Sequence, residues 1–155
     1  MTAPDRSYIE ANTRERERMR ALLSRLSDEE LGRKVNESWT IAAVLGHVAF
    51  WDARQLYLVD KLERGLPFEP SEVEPDDPDW INDSTRPLID ALAPRAAADL
   101  ALRIAEEIDA KIAALLPEQA ARTWPADPTS LVNPLRAAHR GEHLDEIEAA
   151  LRARG

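Results

Sequence analysis

Apolar residues recur along this chain at spacings of three and four, the period of an amphipathic α-helix. Sustained alternation of β-branched and polar residues, which would indicate strands, is found nowhere in the sequence. The pattern therefore predicts helices and no sheet. The stripes are Tyr8, Ile9, Met19, Leu22, Leu23 and Leu26, then Val44, His47, Trp51 and Leu58, then Leu100, Ile104, Ile108, Ile112 and Leu115, and finally Leu135, His139, His143, Ile147 and Leu151.

Capping residues mark the ends of the first two long helices. The first covers about residues 5–26. Ser27 followed three residues later by Glu30 has the spacing of a capping box, so one short helical turn is expected there. Thr40 is a favourable N-cap for the second long helix, and Gly65 is expected to end it.

Two proline-rich stretches separate the remaining helices. Residues 65–79 are rich in proline and acid and predict an extended loop, which either covers a functional site or is a solvated linker. Pro78 and Pro94 each begin a helix, residues 117–128 form a second irregular connection, and Asn133 with Pro134 caps the last helix. The helix after Pro78 carries the apolar residues Trp80, Ile81, Leu88, Ile89 and Leu92.

Length and composition favour one all-α domain spanning residues 1–155, a four-helix bundle with long Pro-rich connections. The net charge of -9 gives no electrostatic basis for binding nucleic acid. The absence of cysteine excludes disulfides and thiolate metal sites. No apolar run is long enough to cross a membrane, and the first residues lack a signal-peptide core, so a cytoplasmic location is expected.

The three histidines are the strongest candidates for a functional site. His139 and His143 are four residues apart, so they project from one face of the last helix, and His47 lies on the apolar stripe of the second. A bundle can bring all three to one point, and three nitrogen ligands with an open position are typical of a catalytic metal site. The alternative is packed imidazoles bonded to carbonyl groups, which is the better interpretation of His47 taken alone. Arg140, not Glu, follows His139, so the zinc-protease motif is absent.

Arginine and tryptophan residues near these histidines have two interpretations each. Arg54 and Arg136 can face the mouth of the site and bind a carboxylate, or they are solvent-exposed and paired with Glu. Trp39, Trp51 and Trp124 can line a pocket, although tryptophan is more often a core residue. No Gly-x-Ser-x-Gly elbow and no glycine-rich phosphate loop is present.

Two short segments together resemble a known family. Trp39-Thr40 leading into residues 45–52 (LGHVAFWD), paired with residues 139–147 (HRGEHLDEI), is similar to the DinB-like family. This family is related to the N-terminal module of mycothiol-dependent maleylpyruvate isomerases and to bacillithiol transferases. The resemblance covers nearly the whole chain and implies a four-helix bundle, which agrees with the apolar periodicity.

The resemblance also implies chemistry. It places a divalent metal, zinc or nickel, on His47, His139 and His143, and it implies a homodimer. The implied activity is transfer of a low-molecular-weight thiol, such as mycothiol, to a small electrophile, with the metal lowering the pKa of the thiol. Two alternatives remain open. One is a non-catalytic, stress-associated metal-binding bundle, and the other is a metal-dependent hydrolase with Glu142 or Glu146 beside the metal.

Overall fold

The computed structural model describes residues 3–153, and it is helical as expected. The helices are α1 (Tyr8–Arg25), α2 (Asp28–Leu31), α3 (Ile41–Glu63), α4 (Asp79–Asp90), α5 (Pro94–Ala113), α6 (Pro117–Ala120) and α7 (Ala137–Arg152), with a 3₁₀ turn at Pro70–Glu72. Within residues 3–153 the only β pairing is an isolated bridge between Lys34 and Thr40. The all-α prediction is confirmed. In the same residues, no helix combines the length and apolar character needed to cross a bilayer.

The four longest helices pack against one another as a bundle. Helix α5 contacts α1 and α3, and α7 contacts the same two helices from the other side. Their shared core consists of buried aliphatic side chains, among them Met19, Leu22, Leu45, Ala101, Leu144 and Ile147. Helix α4 packs on α3 and α2 packs on α5, so the shorter helices are added around the bundle.

The capping residues predicted for the first two long helices and the short turn between them act as expected. The Ser27 hydroxyl accepts a hydrogen bond from the Glu30 amide at 3.1 Å, and the Glu30 carboxylate accepts one from the Ser27 amide at 3.4 Å. The Thr40 hydroxyl accepts a hydrogen bond from the Ala43 amide at 3.0 Å and so begins α3. Gly65 follows α3 with φ +67°, a left-handed conformation that glycine adopts without strain. These residues place His47 in the second turn of α3.

The start of helix α7 and its buried face both differ from the prediction. It begins at Ala137 and not at Asn133 and Pro134, and Leu135 lies before it with 41% of its surface exposed. The Asn133 side chain instead accepts a hydrogen bond from the Leu135 amide, which holds this segment in a turn. The buried residues of α7 are Ala137, Arg140, Leu144 and Ile147. His139 and His143 therefore lie on a face of α7 next to its core-facing side.

Helix α4 packs on α3 through one of its faces. A Cβ placed on Gly46 would lie 2.7 Å from Ile89 Cγ2, so the absence of a side chain at Gly46 permits this close approach. Ile89 is buried, but Trp80 and Leu88 are 62% and 74% exposed. Trp80 and Leu88 therefore lie outside the core, because only part of the apolar stripe finds a neighbouring helix.

The acidic loop between α3 and α4 is fastened to α3 by Glu72. The Lys61 ammonium donates to both carboxylate oxygens of Glu72 at 2.7 and 2.9 Å, and the Tyr57 hydroxyl donates to one of them at 3.0 Å. The Arg54 guanidinium donates to the backbone carbonyl of Glu72. We call these contacts the Glu72 clasp. They hold the loop along α3 on the side of the histidines.

Candidate metal centre

The structure brings the three predicted histidines together. His47 on α3 and His143 on α7 place their Nε2 atoms 3.2 and 3.1 Å from Nε2 of His139. One nitrogen from each ring lies within 4.8 Å of the other two. Two ligands of one tetrahedral zinc ion lie about 3.3 Å apart, given zinc–nitrogen bonds of about 2.0–2.1 Å. The cluster therefore fits one divalent ion, while ligation itself remains a prediction.

The local environment favours the neutral form of His47 and His139. Burial lowers the pKa of His47 to about 4, and the nearby His143 ring lowers it further. Burial likewise lowers the pKa of His139 to about 3, together with the charges of its neighbouring rings and of Arg136 and Arg140. Neutral imidazole is the form that binds metals. The lone pairs that His47 and His139 need for coordination are thus available at neutral pH.

Two neighbouring groups orient the rings. His143 Nδ1 lies 3.1 Å from a carboxylate oxygen of Glu146, so a proton on Nδ1 leaves the Nε2 lone pair directed at the cluster. The Trp39 ring meets the His47 ring edge-on, with centroids 5.6 Å apart, and the Arg86 guanidinium stacks 3.8 Å from the Trp39 centroid. The His47 ring is therefore held by Trp39 from the segment before α3, and the His143 ring by Glu146 of α7.

A cavity of about 290 Å³ opens beside the cluster. Its lining residues are His47, Trp51, Glu74, Pro78, Asn82, Arg136 and His139. The Trp51 indole donates to the Asn82 side chain at 2.8 Å, which joins α3 to α4 across one wall. Because Glu74 and Pro78 come from the acidic loop, this loop forms part of the site, in agreement with the first of its two interpretations.

The two candidate arginines differ in the structure. Arg54 lies 3.8 Å from the Glu74 carboxylate and belongs to the Glu72 clasp, so pairing with acidic residues is the correct interpretation. Arg136 is only 6% exposed, so it is not a solvated helix arginine. Its Nε donates to Asp52 at 2.9 Å, and the residue lines the cavity.

The three candidate tryptophans lie in different surroundings. Trp51 is buried and lines the cavity, so the pocket and core interpretations both hold for it. Trp39 contacts the His47 ring from outside the cavity. Trp124 lies elsewhere, half-exposed beside a second cavity of about 500 Å³ that Tyr8 and Leu135 also line. Trp124 is therefore not part of the histidine site.

Sequence reasoning missed a set of buried charges next to the histidines. Arg140 is 1% exposed and donates to Asp52 at 3.1 Å and to Asp109 at 3.0 and 3.1 Å. Arg136 also pairs with Asp52, and Arg16 of α1 pairs with Asp109 at 2.7 Å. We call these five residues the buried charge network. The one signal in the sequence is that Arg140 interrupts the apolar positions of α7 between Ala137 and Leu144.

The carboxylates named for a hydrolase do not lie buried at the cluster. Glu142 is exposed, and the Glu146 side chain is 45% exposed and engaged with His143 Nδ1. Neither is placed as a buried base beside a bound ion. This arrangement gives the hydrolase alternative no support.

Comparison with known proteins identifies the family. Searches of curated proteins and of solved structures give no significant match. The sequence profile described as the DinB superfamily matches residues 11–143, a span that includes His47, His139 and His143. This match covers most of the chain, and the all-α fold agrees with it. The chain therefore belongs to the DinB superfamily.

Proposed function

We propose that this protein binds one divalent metal ion, zinc or nickel, and uses it to transfer a low-molecular-weight thiol to a small electrophile. The observation that carries the proposal is the convergence of the Nε2 atoms of His47, His139 and His143. Three nitrogen donors would leave a further coordination position for a substrate. The adjacent cavity gives that position access to a small molecule.

The chemistry follows from the donor set. His47, His139 and His143 would hold the divalent ion, and the chemistry that the ion would supply is a lowered pKa of a bound thiol. The thiol proton passes to solvent, and the sulfur lone pair forms a new bond to an electrophilic carbon. The bond from that carbon to the leaving group breaks, and the leaving group departs with the electron pair. His47 and His139 face the cavity and position the sulfur, while Glu146 fixes the ring of His143.

The test uses protein purified without a His tag. We expect about one equivalent of divalent metal per chain, and after cobalt substitution a sulfur-to-cobalt charge-transfer band on adding a suitable thiol. The same thiol should react with a haloarene faster than it does free in solution. Mycothiol, bacillithiol, glutathione and coenzyme A are the probes. Bound cobalt with no band and no rate gain for all four would favour the non-catalytic metal-binding alternative.

We further propose a symmetric cytoplasmic homodimer. The supporting feature is the exposed apolar side of α4, where Trp80 and Leu88 lie two turns apart on one face. A second copy of the helix would cover both side chains. Light scattering at micromolar concentration should give twice the mass of one chain, and Trp80→Glu should reduce it. A single-chain mass for the unmodified protein contradicts the dimer.

A further inference from the structure

The side chain of Arg136 has N–H groups that donate to no other residue among residues 3–153. Its side chain is 7% exposed, and only Nε has a partner, the Asp52 carboxylate at 2.9 Å. Among residues 3–153, neither terminal nitrogen of Arg136 donates to another residue, and neither is sealed from solvent. Because Arg136 lines the cavity with His47 and His139, these terminal N–H groups are available to a molecule bound there.

Among residues 3–153, Arg136 pairs with one carboxylate, and it shares that carboxylate with Arg140. The buried charge network has three guanidinium groups, on Arg16, Arg136 and Arg140, and two carboxylates, on Asp52 and Asp109. Arg16 has a further partner in Glu17 at 3.6 Å, whereas Arg136 and Arg140 share Asp52. Arg140 is enclosed, and of the three arginines only Arg136 lines the histidine cavity. At the cavity wall Arg136 therefore presents a guanidinium whose carboxylate partner is shared with Arg140.

The nearest competing acid does not neutralise Arg136. Glu74 is the acidic residue of the cavity wall, and it lies 3.8 Å from Arg54 on the side of the Glu72 clasp. The described residues contain no ion pair between Glu74 and Arg136 within 4.0 Å. Arg54 thereby holds the loop carboxylate and leaves the Arg136 donors free for a ligand.

We infer that the substrate of the metal site carries a carboxylate, which binds the terminal nitrogens of Arg136 while its sulfur faces the histidines. This inference rests on the proposed function. A guanidinium presents paired N–H groups that match the two oxygens of a carboxylate. The cavity volume of about 290 Å³ suits a small molecule rather than a peptide chain. Trp51 and Pro78 supply the apolar walls between the two polar ends.

The test compares two thiols that differ only in this group. Cobalt-substituted protein is titrated with 3-mercaptopropionate and with 3-mercaptopropanamide, and binding is followed by the charge-transfer band and by calorimetry. A hydrogen bond to a charged group of ordinary strength predicts about tenfold or more tighter binding of the acid. Arg136→Gln should remove this preference while cobalt content and amide binding stay unchanged.

Arg16→Gln is the matched control. It removes one positive charge from the buried charge network but no donor from the cavity, so the preference for the acid should persist. Arg136→Lys, which keeps the charge, should retain part of the preference and serves if Arg136→Gln does not fold. A preference that survives in both Arg136 variants would mean that the carboxylate binds the metal directly, and it overturns the inference.

The two proposals fail in different ways. Equal affinity of the unmodified protein for the acid and the amide, with a normal charge-transfer band, overturns the carboxylate site and leaves thiol binding supported. Calorimetric binding of the acid that depends on Arg136, without any charge-transfer band, supports the carboxylate site and contradicts thiol coordination. No binding of either compound overturns the inference.

Discussion

Helix α7 carries two polar faces, and they are satisfied in different ways. Arg136 and Arg140 meet carboxylates of α3 and α5, so their charges are paired inside the protein. His139 and His143, on the neighbouring face, meet another imidazole, and their Nε2 atoms point at a common centre. The first face pairs its charges with carboxylates of the protein, and the terminal nitrogens of Arg136 remain its unused donors. The second gathers lone pairs with no opposing charge, which is the arrangement that a cation completes.

The largest expected effect is a loss of stability when a charge is removed from the face of α7 that carries Arg136 and Arg140, which we call the paired face. Arg140→Met leaves Asp52 and Asp109 buried with fewer partners, and we expect the free energy of unfolding to fall by about 3–5 kcal/mol. Urea unfolding of metal-free protein measures it. Arg64→Met is the control, because Arg64 is exposed in its ion pair and its loss should cost less than about 1 kcal/mol. Equal losses in the two variants would contradict a structural role for the network.

On the histidine face we expect a large loss of metal affinity and little change in the free energy of unfolding. His139→Gln should weaken metal affinity by more than about 100-fold, because even groups behind the ligands contribute about 10–100-fold. The free energy of unfolding of the metal-free variant should change by less than about 1 kcal/mol, since no ion pair is lost. Competition with a chromogenic chelator measures affinity. Glu142→Gln, an exposed change on the same helix, should leave affinity unaltered.

A smaller effect is expected behind the ligands. Glu146→Gln removes the carboxylate charge that faces His143 Nδ1, and metal affinity should fall about tenfold. The same chelator competition applies. If Glu146→Gln and Glu142→Gln behave alike, the contact at 3.1 Å does not orient the ring.

The last expected effect is a pH dependence of the free energy of unfolding of the metal-free protein. Folded His47 and His139 have pKa values of about 4 and about 3, below the ordinary value of 6.5. Between pH 6.5 and 4 the unfolded chain therefore binds more protons than the folded one, and stability falls as pH falls. Urea midpoints of the double variant His47→Gln, His139→Gln should fall less steeply over this range. Parallel curves for the two proteins would contradict the lowered pKa values.

The histidine face was predictable from sequence, and the paired face was not. Spacing of four places His139 and His143 together on any helix, and a bundle limits where His47 can lie. The partners of Arg140, by contrast, come from α3 and α5, and which carboxylates they are depends on how the helices pack. The exposure of Trp80 and Leu88 could not be predicted for a related reason: an apolar stripe does not reveal whether another helix covers it.

The Glu72 clasp has a consequence for the kinetics of binding. By fixing the loop to Lys61 and Tyr57, it holds Glu74 and Pro78 in the cavity wall before any ligand arrives. Ordering a flexible segment costs about 1–2 kcal/mol of backbone entropy per residue, and here folding has already met that cost. We therefore expect ligands to enter a preorganised cleft, with association rates limited by encounter rather than by closure of a lid.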